Sequence, residues 1–484
     1  MKIDVPEVVR EIAEGLEETG HKAYLVGGCV RDLLLHREPK DWDIATAALP
    51  EAVQKIFPES VYENEFGTVG VKTGSDEENL KIVEVTTFRI EGRYTDKRHP
   101  DEIKFAKTIE EDLSRRDFTI NALAMDMAGR VIDPYGGKDD LKAKIIKAVG
   151  NPKERFNEDA LRLVRAVRFA AELRFEVEKE TGRAIKNDAG LLEMIAKERI
   201  RDEFVKIVMA PGAADSIIKL EDYGLLRFVM PEFREGIGCG QNLHHIYTVF
   251  EHNVRALNYT VEKGYPLHIR LAALLHDVGK PRTKHGEGKY STFYNHEVVG
   301  AKMTMKILDR LHFSKDLVER VAHLVRSHLF YYNVGEVTEA GVRRFLMRVG
   351  PENVPDLIKV READRIGSGV PKAVPYKIRH LLFMIEKVKN DPISPKMLKV
   401  DGNDVMKILG LPPGPKVGQI LSVLLEDVLD DPAKNKSDFL ENRVGELGHL
   451  KEESLRALSL KAETKKEEFE SGVEREIKKK YHVS

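Results

Sequence analysis

A chain of 484 residues, 42% hydrophobic and 33% charged, is long enough for about three domains of ~150 residues, each with its own core. Its 78 Lys and Arg against 80 Asp and Glu leave a net charge of −2, which excludes an acidic disordered solubiliser and a uniformly basic nucleic-acid coat, so any polyanion site is a local patch. Two cysteines, Cys29 and Cys239, rule out a disulfide scaffold and point to a reducing compartment. The charged opening MKIDVPEVVREIAEGLEE and the lack of ~18 consecutive apolar residues point to a soluble, cytoplasmic protein with no membrane partner.

The first ~150 residues alternate helical and strand signals. An amphipathic helix opens the chain, followed by the strand Ala23-Tyr24-Leu25-Val26, a Gly27-Gly28 turn and a helix from near Cys29. Further β-rich runs follow at Trp42-Asp43-Ile44, Thr68 to Val71 and Lys81 to Phe88. This reads as a small α/β domain. After the turn signal Asp133-Pro134-Tyr135-Gly136-Gly137 the periodicity is helical to the end. Histidines crowd between His244 and His328, and Asn390 to Pro395 breaks the helical pattern. The expected division is an α/β head over 1–148, a helical neck over 149–215, a helical body over 216–392 and a helical tail over 393–484.

Asp41 and Asp43 flank Trp42 in a strand-like run, so a period of two sets both carboxylates on one face and the indole on the other. Hard divalent cations take such oxygen ligands; alone, the pair fits an ordinary polar strand edge as well. Upstream, Gly27 and Gly28 sit between strand and helix, with Arg31 just beyond. Glycine lets backbone N–H groups approach a phosphate, the helix N-terminus favours its charge and Arg adds a fork of donors. Together the two features favour a triphosphate-plus-metal site. Glu84, an acid among apolar residues in Ile82-Val83-Glu84-Val85, is either a third metal-site carboxylate or a solvent-facing strand residue.

From Glu158 to Ala171 a helical step of ~100° gathers Leu163, Val164, Val167, Ala170 and Ala171 on one side and Asp159, Arg162, Arg165 and Arg168 on the other. An Asp that accepts beside an Arg that donates imitates a Watson–Crick edge; a solvated i,i+3 pair is the plainer reading. Later, the apolar run Leu271 to Leu275 ends in His276-Asp277, a mixed N/O donor pair, with His252, His296, His328 and Asp364 spaced around it. The two helical runs of Asp401 to Leu421 are joined by a Gly/Pro turn that suits either phosphate contact or plain core packing.

In order, Gly27-Gly28, Arg31-Asp32, Asp41-x-Asp43, Arg115-Arg116-Asp117-Phe118-Thr119-Ile120-Asn121-Ala122, Asp133 to Gly137 and Glu158-Asp159-Ala160-Leu161-Arg162 resemble the class II tRNA nucleotidyltransferases and bacterial poly(A) polymerases over roughly residues 20 to 210. The resemblance implies a polymerase-beta-like mixed sheet with helices in the head. It further implies Mg²⁺ held by Asp41 and Asp43, nucleotide contacts from Gly28, Arg31, Arg115, Arg116 and Asn121, base recognition by Asp159 and Arg162, and Arg165 and Arg168 beside them. The partners implied are a tRNA acceptor end, CTP and ATP, with the tRNA elbow along the tail. The histidine–aspartate order resembles the HD phosphohydrolase superfamily. That likeness implies a divalent metal of unspecified identity on His252, His276, Asp277 and Asp364, with His296 and His328 for a second metal or a phosphate. By the same resemblance, the polar loop EGRYTDKRHP, residues 91–100, is similar to one that CC-only relatives lack, which argues against a CC-only enzyme, and Asn64 to Val69 departs from the basic motif of poly(A) polymerases. The loop does not separate CCA from A-only addition; CCA addition is the expected activity, with A-only addition, poly(A) synthesis, or a metal-dependent phosphohydrolase with a nucleotide-sensing head as alternatives.

Overall fold

The computed structural model describes residues 5–64, 67–91, 103–242, 246–330, 332–333, 335–388, 394–460 and 462; most of the 91–100 loop and the last residues of the tail lie outside them. The chain divides into two compact units, residues 1–234 with 307–313, and residues 235–306 with 314–484. No described helix is long and apolar enough to cross a membrane.

The first unit runs α1 (Glu7–Glu18), β1 (Ala23–Val26), α2 (Gly28–Leu34), β2 (Asp43–Thr46), α3 (Pro50–Ile56), β3 (Ser60–Asn64), β4 (Thr68–Lys72), β5 (Ile82–Thr87), β6 (Arg89–Glu91), β7 (Ile103–Phe105) and α4 (Ile109–Ser114). It continues through β8 (Ala124–Met125), β9 (Val131–Ile132), α5 (Gly137–Ala143), β10 (Ile145–Ile146), α6 (Pro152–Glu158), α7 (Arg162–Leu173), β11 (Glu176–Val177), α8 (Lys179–Asp188), α9 (Lys197–Met209), α10 (Ala213–Asp222) and α11 (Leu226–Val229).

Seven strands form one mixed sheet in the order β3-β4-β5-β2-β1-β8-β9, in which only β2 and β5 run parallel. Alternation along the strands puts Tyr24, Val26, Ala45 and Ala124 on one face, where they pack with Phe88 and with Ile109 and Leu113 of α4. A Thr108–Glu111 capping box starts that helix. Asp43 lies two residues before Ala45, at the end of the same face. The parallel register sets Glu84 directly across from it. Cys29 is buried beneath, and burial pushes its thiol up to about 12, so it stays protonated.

Two departures from the sequence pattern stand out. The chain after residue 137 is not purely helical: β10 and β11 form a two-residue parallel pair, too short to imprint a period on the sequence. The run from Glu158 to Ala171 is not one helix either. Asp159 is extended (φ −133, ψ 107) and its Oδ1 accepts the N–H of Leu161, so the side chain ends α6 and α7 begins only at Arg162. Residue 215 falls inside α10, and the first unit continues to Arg234.

The apolar side of α7 packs on α9 and α10, as its spacing requires. Its arginine side is not a solvated face. Arg162 and Arg168 are buried, Arg165 Nε donates to Asp117 at 2.8 Å, and Arg168 Nε lies 2.8 Å from Glu203 of α9. Phe169 lies amid the guanidinium carbons of Arg31, Arg165 and Arg168, at 5.4, 5.4 and 4.0 Å from its ring centre.

The second unit is helical: α12 (Val249–Glu262), α13 (Leu267–Leu275), α14 (Lys280–Thr283), α15 (His296–Arg310, whose last residues belong to the first unit), α16 (Lys315–Ser327), α17 (Glu339–Val349) and α18 (Val354–Gly367). After these come α19 (Tyr376–Val388), α20 (Gly402–Leu409), α21 (Pro415–Asp430) and α22 (Ser437–Gly448). Thr248 with Glu251 caps α12, and Asp401 with Asp404 caps α20. Helices α12, α13 and α18 pack through small residues, Ala256, Ala273 and Ala363, under Tyr259.

Asp117 locks α7 to the segment that follows α4. Burial alone would push its carboxyl up, but the guanidinium of Arg165, helped by Arg162 and Asn121, holds it down at about 2 from the usual 3.8. A carboxyl held low stabilises the fold above its unfolded value and loses that contribution as pH falls through the folded one. Asp117→Asn is therefore expected to cost this unit about 2 kcal/mol at about pH 7 and clearly less at about pH 3. Urea unfolding followed by Trp42, the only tryptophan, reads the difference; an equal loss at both pH values would refute the pairing energetics.

Candidate active site

In the first unit β1, α2 and β2 bring residues expected to meet phosphate and metal to one turn, with β5 beside β2. Gly27 adopts φ 72 and ψ −125, a conformation open to glycine, and starts α2 directly behind β1. A Cβ there would lie 2.6 Å from Arg116 Nη1 and 3.8 Å from Asp43 Oδ2. One on Gly28 would lie 3.8 Å from both Asp41 Oδ1 and Arg31 Nη2. Both expected aspartates and two expected arginines therefore ring the same turn. Asp41 precedes the strand and Asp43 is its first residue, while Trp42 between them is buried.

Glu84 stands opposite Asp43 in the β2–β5 register, on an exposed strand position. Burial first, then the charges of Asp41 and Glu84, push Asp43 up to about 7 against the pull of Arg116. Asp41 and Asp43, with Glu84 near enough for its charge to raise Asp43, offer only oxygen donors, the kind a hard divalent cation takes.

The remaining expected nucleotide contacts are held by acids. Arg31 forms a two-pronged pair with Asp32, both contacts 2.9 Å, and gives a third bond to Asn121 Oδ1. Arg115 Nη2 lies 2.8 Å from Asp112, whose other oxygen is 3.4 Å from Arg116 Nη2. Asn121 also donates to Asp117. The Asp159 and Arg162 side chains do not form the mutual pair expected from their spacing. Asp159 Oδ2 accepts from Arg199 of α9 at 2.9 Å, and Arg162 Nη1 donates to Glu158 at 2.6 Å. The break after α6 is the reason, since i,i+3 geometry needs one continuous helix. Arg199, Glu203 and Asp112 were not singled out from the sequence, because nothing local marks an acid or arginine whose partner lies tens of residues away.

In the second unit, α12, the end of α13, α15, α16 and α18 converge on Asp277. His252 Nε2 and His276 Nε2 are 2.9 Å apart. Both face Asp277 Oδ2, at 3.2 and 3.3 Å, and Asp364 Oδ1, at 3.4 and 3.7 Å. The other oxygen, Asp277 Oδ1, faces His296 Nε2 at 3.3 Å and His328 Nε2 at 3.6 Å. All six residues marked in the sequence thus meet, and one carboxylate bridges two donor groups.

The nitrogens are oriented by the backbone. His276, His296 and His328 each give Nδ1–H to a carbonyl three residues earlier, Ala273, Phe293 and Val325, at 2.8, 2.7 and 2.7 Å. Since a carbonyl only accepts, the Nε2 atoms are left to face the centre. Two ring nitrogens at 2.9 Å share either one N–H hydrogen bond or a bound cation. Burial would lower His276, but Asp277 and Asp364 outweigh it and raise it to about 10, while both carboxyls are held well below the usual range. Burial lowers His328. The donor set fits a transition-type divalent ion. Lys280, not singled out from the sequence, puts its ammonium 2.6 Å from Asp277 Oδ2 and from Gln241 Oε1; its place just after His276-Asp277 is the only local signal.

Comparison with known proteins matches residues 23–147 to the Poly A polymerase head domain, 174–236 to the "Probable RNA and SrmB- binding site of polymerase A" and 249–368 to the HD domain. A CCA-adding enzyme of Geobacillus sp. (strain WCH70) is 34% identical over 432 residues, 88% of this chain and 93% of that protein. An A-adding tRNA nucleotidyltransferase of Deinococcus radiodurans is 35% identical over 84% and 91% of the two chains. A Lactobacillus helveticus CCA-adding enzyme reaches 48%, but over 44% of this chain, which spans about half (53%) of that relative's length. The crystal structure of the Bacillus stearothermophilus CCA-adding enzyme in complex with CTP is similar with a TM-score of 0.67 and 28% identity, over 91% of this chain and 98% of that one. A divalent-metal nucleotidyltransferase with an added HD domain is the class so defined. The chain belongs to the family of the CCA-adding enzymes.

Gly279 sets the second centre's geometry. A Cβ there would lie 2.3 Å from His296 O and 2.5 Å from Gly300 N, backbone atoms of α15 that cannot swing aside. Gly279→Ala should push the His296 end of α15 off Asp277 and weaken Ni²⁺ binding about tenfold or more, as read by calorimetric titration. Unchanged Ni²⁺ affinity would show that α15 takes no part in the centre.

Proposed function

We propose that this chain completes the 3′ end of tRNA, adding CCA from CTP and ATP without a nucleic-acid template. The observation that carries the reading is the placing of Asp41 and Asp43 beside the Gly27-Gly28 turn, with Glu84 opposite Asp43 in the sheet; at that turn a triphosphate would meet backbone N–H groups and the start of α2. The tRNA 3′-hydroxyl attacks the α-phosphate of the incoming nucleotide, the bond to the β-phosphate breaks, and pyrophosphate leaves.

Asp41 and Asp43, with Glu84 alongside, would hold the divalent ions, Mg²⁺ in this reading. When bound, these ions favour the ionised hydroxyl and offset charge on the leaving group. Arg31 and Arg116 flank the glycine turn and take the triphosphate charge, Arg116 with Arg115 being oriented by Asp112. Asn121, tied to Arg31 and Asp117, meets the ribose. Asp159 and Arg162 present an acceptor and a donor to the base edge. Arg199 and Glu158 keep each in one orientation, and Arg165 and Arg168 hold the helix beneath them. Most of the catalysis is positioning and charge neutralisation, which such a fixed lattice supplies.

The second centre supports a separate hydrolytic activity on 2′,3′-cyclic or terminal phosphates. His252, His276, Asp277 and Asp364 would hold one divalent metal, and His296 and His328 a second one or a phosphate. A second reading of the head, addition of A alone, is favoured by the 35% identity to an A-adding relative.

Extension assays on tRNAs ending before, within and after CC, with CTP and ATP supplied separately, are expected to yield two C and then one A. Growth only from CC ends would replace CCA with A-only addition, and unlimited A with a poly(A) polymerase. Separately, Asp41→Asn and Asp43→Asn should each lower nucleotide incorporation by about a thousandfold or more and spare hydrolysis of 2′,3′-cyclic AMP, while His276→Ala should do the reverse. Incorporation that survives both aspartate changes would overturn the mechanism.

A further inference from the structure

One helix face in the second unit carries recognition chemistry that neither centre uses. Along α19, Tyr376, Arg379, His380 and Phe383 follow the i, i+3, i+4, i+7 spacing of a single stripe, while Ile378, Leu381 and Val388 are buried on another side. The stripe faces water: Tyr376 is 61% and Phe383 63% exposed, with Leu382 beside them at 39%. Its rings form a ladder, His380 lying 5.9 Å from Tyr376 and 6.0 Å from Phe383 between centroids. The buried Tyr332 braces the middle rung, its hydroxyl 2.5 Å from His380 Nδ1.

Around the ladder the charge is positive. Lys372, Lys377, Arg379 and Lys387 stand against the single acid Glu386 in residues 371–388, within a chain of net charge −2. Lys377 is held by Asn333, while Lys387 is paired with the acid Glu339 of α17, so the positive charge at the ladder comes from Lys372, Lys377 and Arg379.

Exposed flat rings flanked by cations are what an unpaired nucleic-acid strand requires, since each base offers a π-face and each phosphate a negative charge. We propose that this face of α19 is a stacking platform for unpaired bases of the RNA substrate, with Arg379 taking a phosphate; the inference rests on the RNA-substrate reading above. Tyr376 and Phe383 are seven residues apart, ~10 Å along the helix, a span of about two or three bases. A second copy of the chain is the poorer occupant, because a symmetric contact would press these cations against their own kind.

The test uses the full chain carrying Tyr376→Ser with Phe383→Ser, positions exposed enough to spare the fold, and a labelled tRNA transcript that lacks its CCA end. Anisotropy is expected to show binding weakened about tenfold or more. KM for the RNA should rise in step and kcat at saturating RNA should be unchanged. Trp at both positions should restore binding, and Arg379→Gln should reduce the salt slope of binding by about one. Affinity within twofold of wild type overturns the platform while leaving the activity intact. So does a concentration-dependent dimer, seen by sedimentation, that the double variant abolishes. A wild-type chain that neither binds nor extends the transcript overturns the RNA-substrate reading instead.

Discussion

Carboxylates brought together by a rigid backbone raise one another's cost of ionisation, and the surrounding fold has to answer that cost with positive charge. In the first unit the β2–β5 register places Glu84 against Asp43, and the bend before β2 brings in Asp41. Arg116 supplies part of the answer from across the glycine turn. In the second unit Asp277 and Asp364 are answered by His276 and Lys280, and by Arg361 on Asp364. The first centre therefore holds more negative charge than its nearby cations neutralise, a condition that favours divalent ions, whereas the second meets its two carboxylates with three cationic groups.

A second layer keeps these groups in place. The neck is a lattice of arginine–carboxylate pairs, Arg165 with Asp117, Arg168 with Glu203, Arg199 with Asp159 and Arg162 with Glu158, most of them shielded from water. Such pairs add less to stability than their number suggests, because each charge has to be stripped of solvent. They do remove rotamer freedom from the groups that face the nucleotide. The HD centre achieves the same with single hydrogen bonds, the rings of His276, His296 and His328 each being clamped by a carbonyl three residues back.

Much of both centres was legible in the chain. Gly27-Gly28, Asp41-x-Asp43 and His276-Asp277 are short-range patterns whose meaning follows from local geometry, and the structure brings their members together as the spacing requires. The errors have one common source. Asp159 looked like a member of a helix because its neighbours keep the helical period, yet its side chain prefers to bond the backbone of Leu161 and ends the helix. Its true partner, Arg199, lies forty residues on and leaves no local trace.

Sequence alone determined the α/β head, the helical body, the glycine turn and the identities of the chemical groups, because each rests on periods of two or 3.6 residues or on ligand chemistry that neighbouring residues spell out. Only the tertiary structure decided that Glu84 stands opposite Asp43, that Asp159 and Arg162 answer to different partners, and that Asp277 turns one oxygen to each of two histidine pairs. Those outcomes depend on strand register and helix contacts between residues far apart in the chain, where packing of the whole unit, not the local pattern, sets which side chains meet.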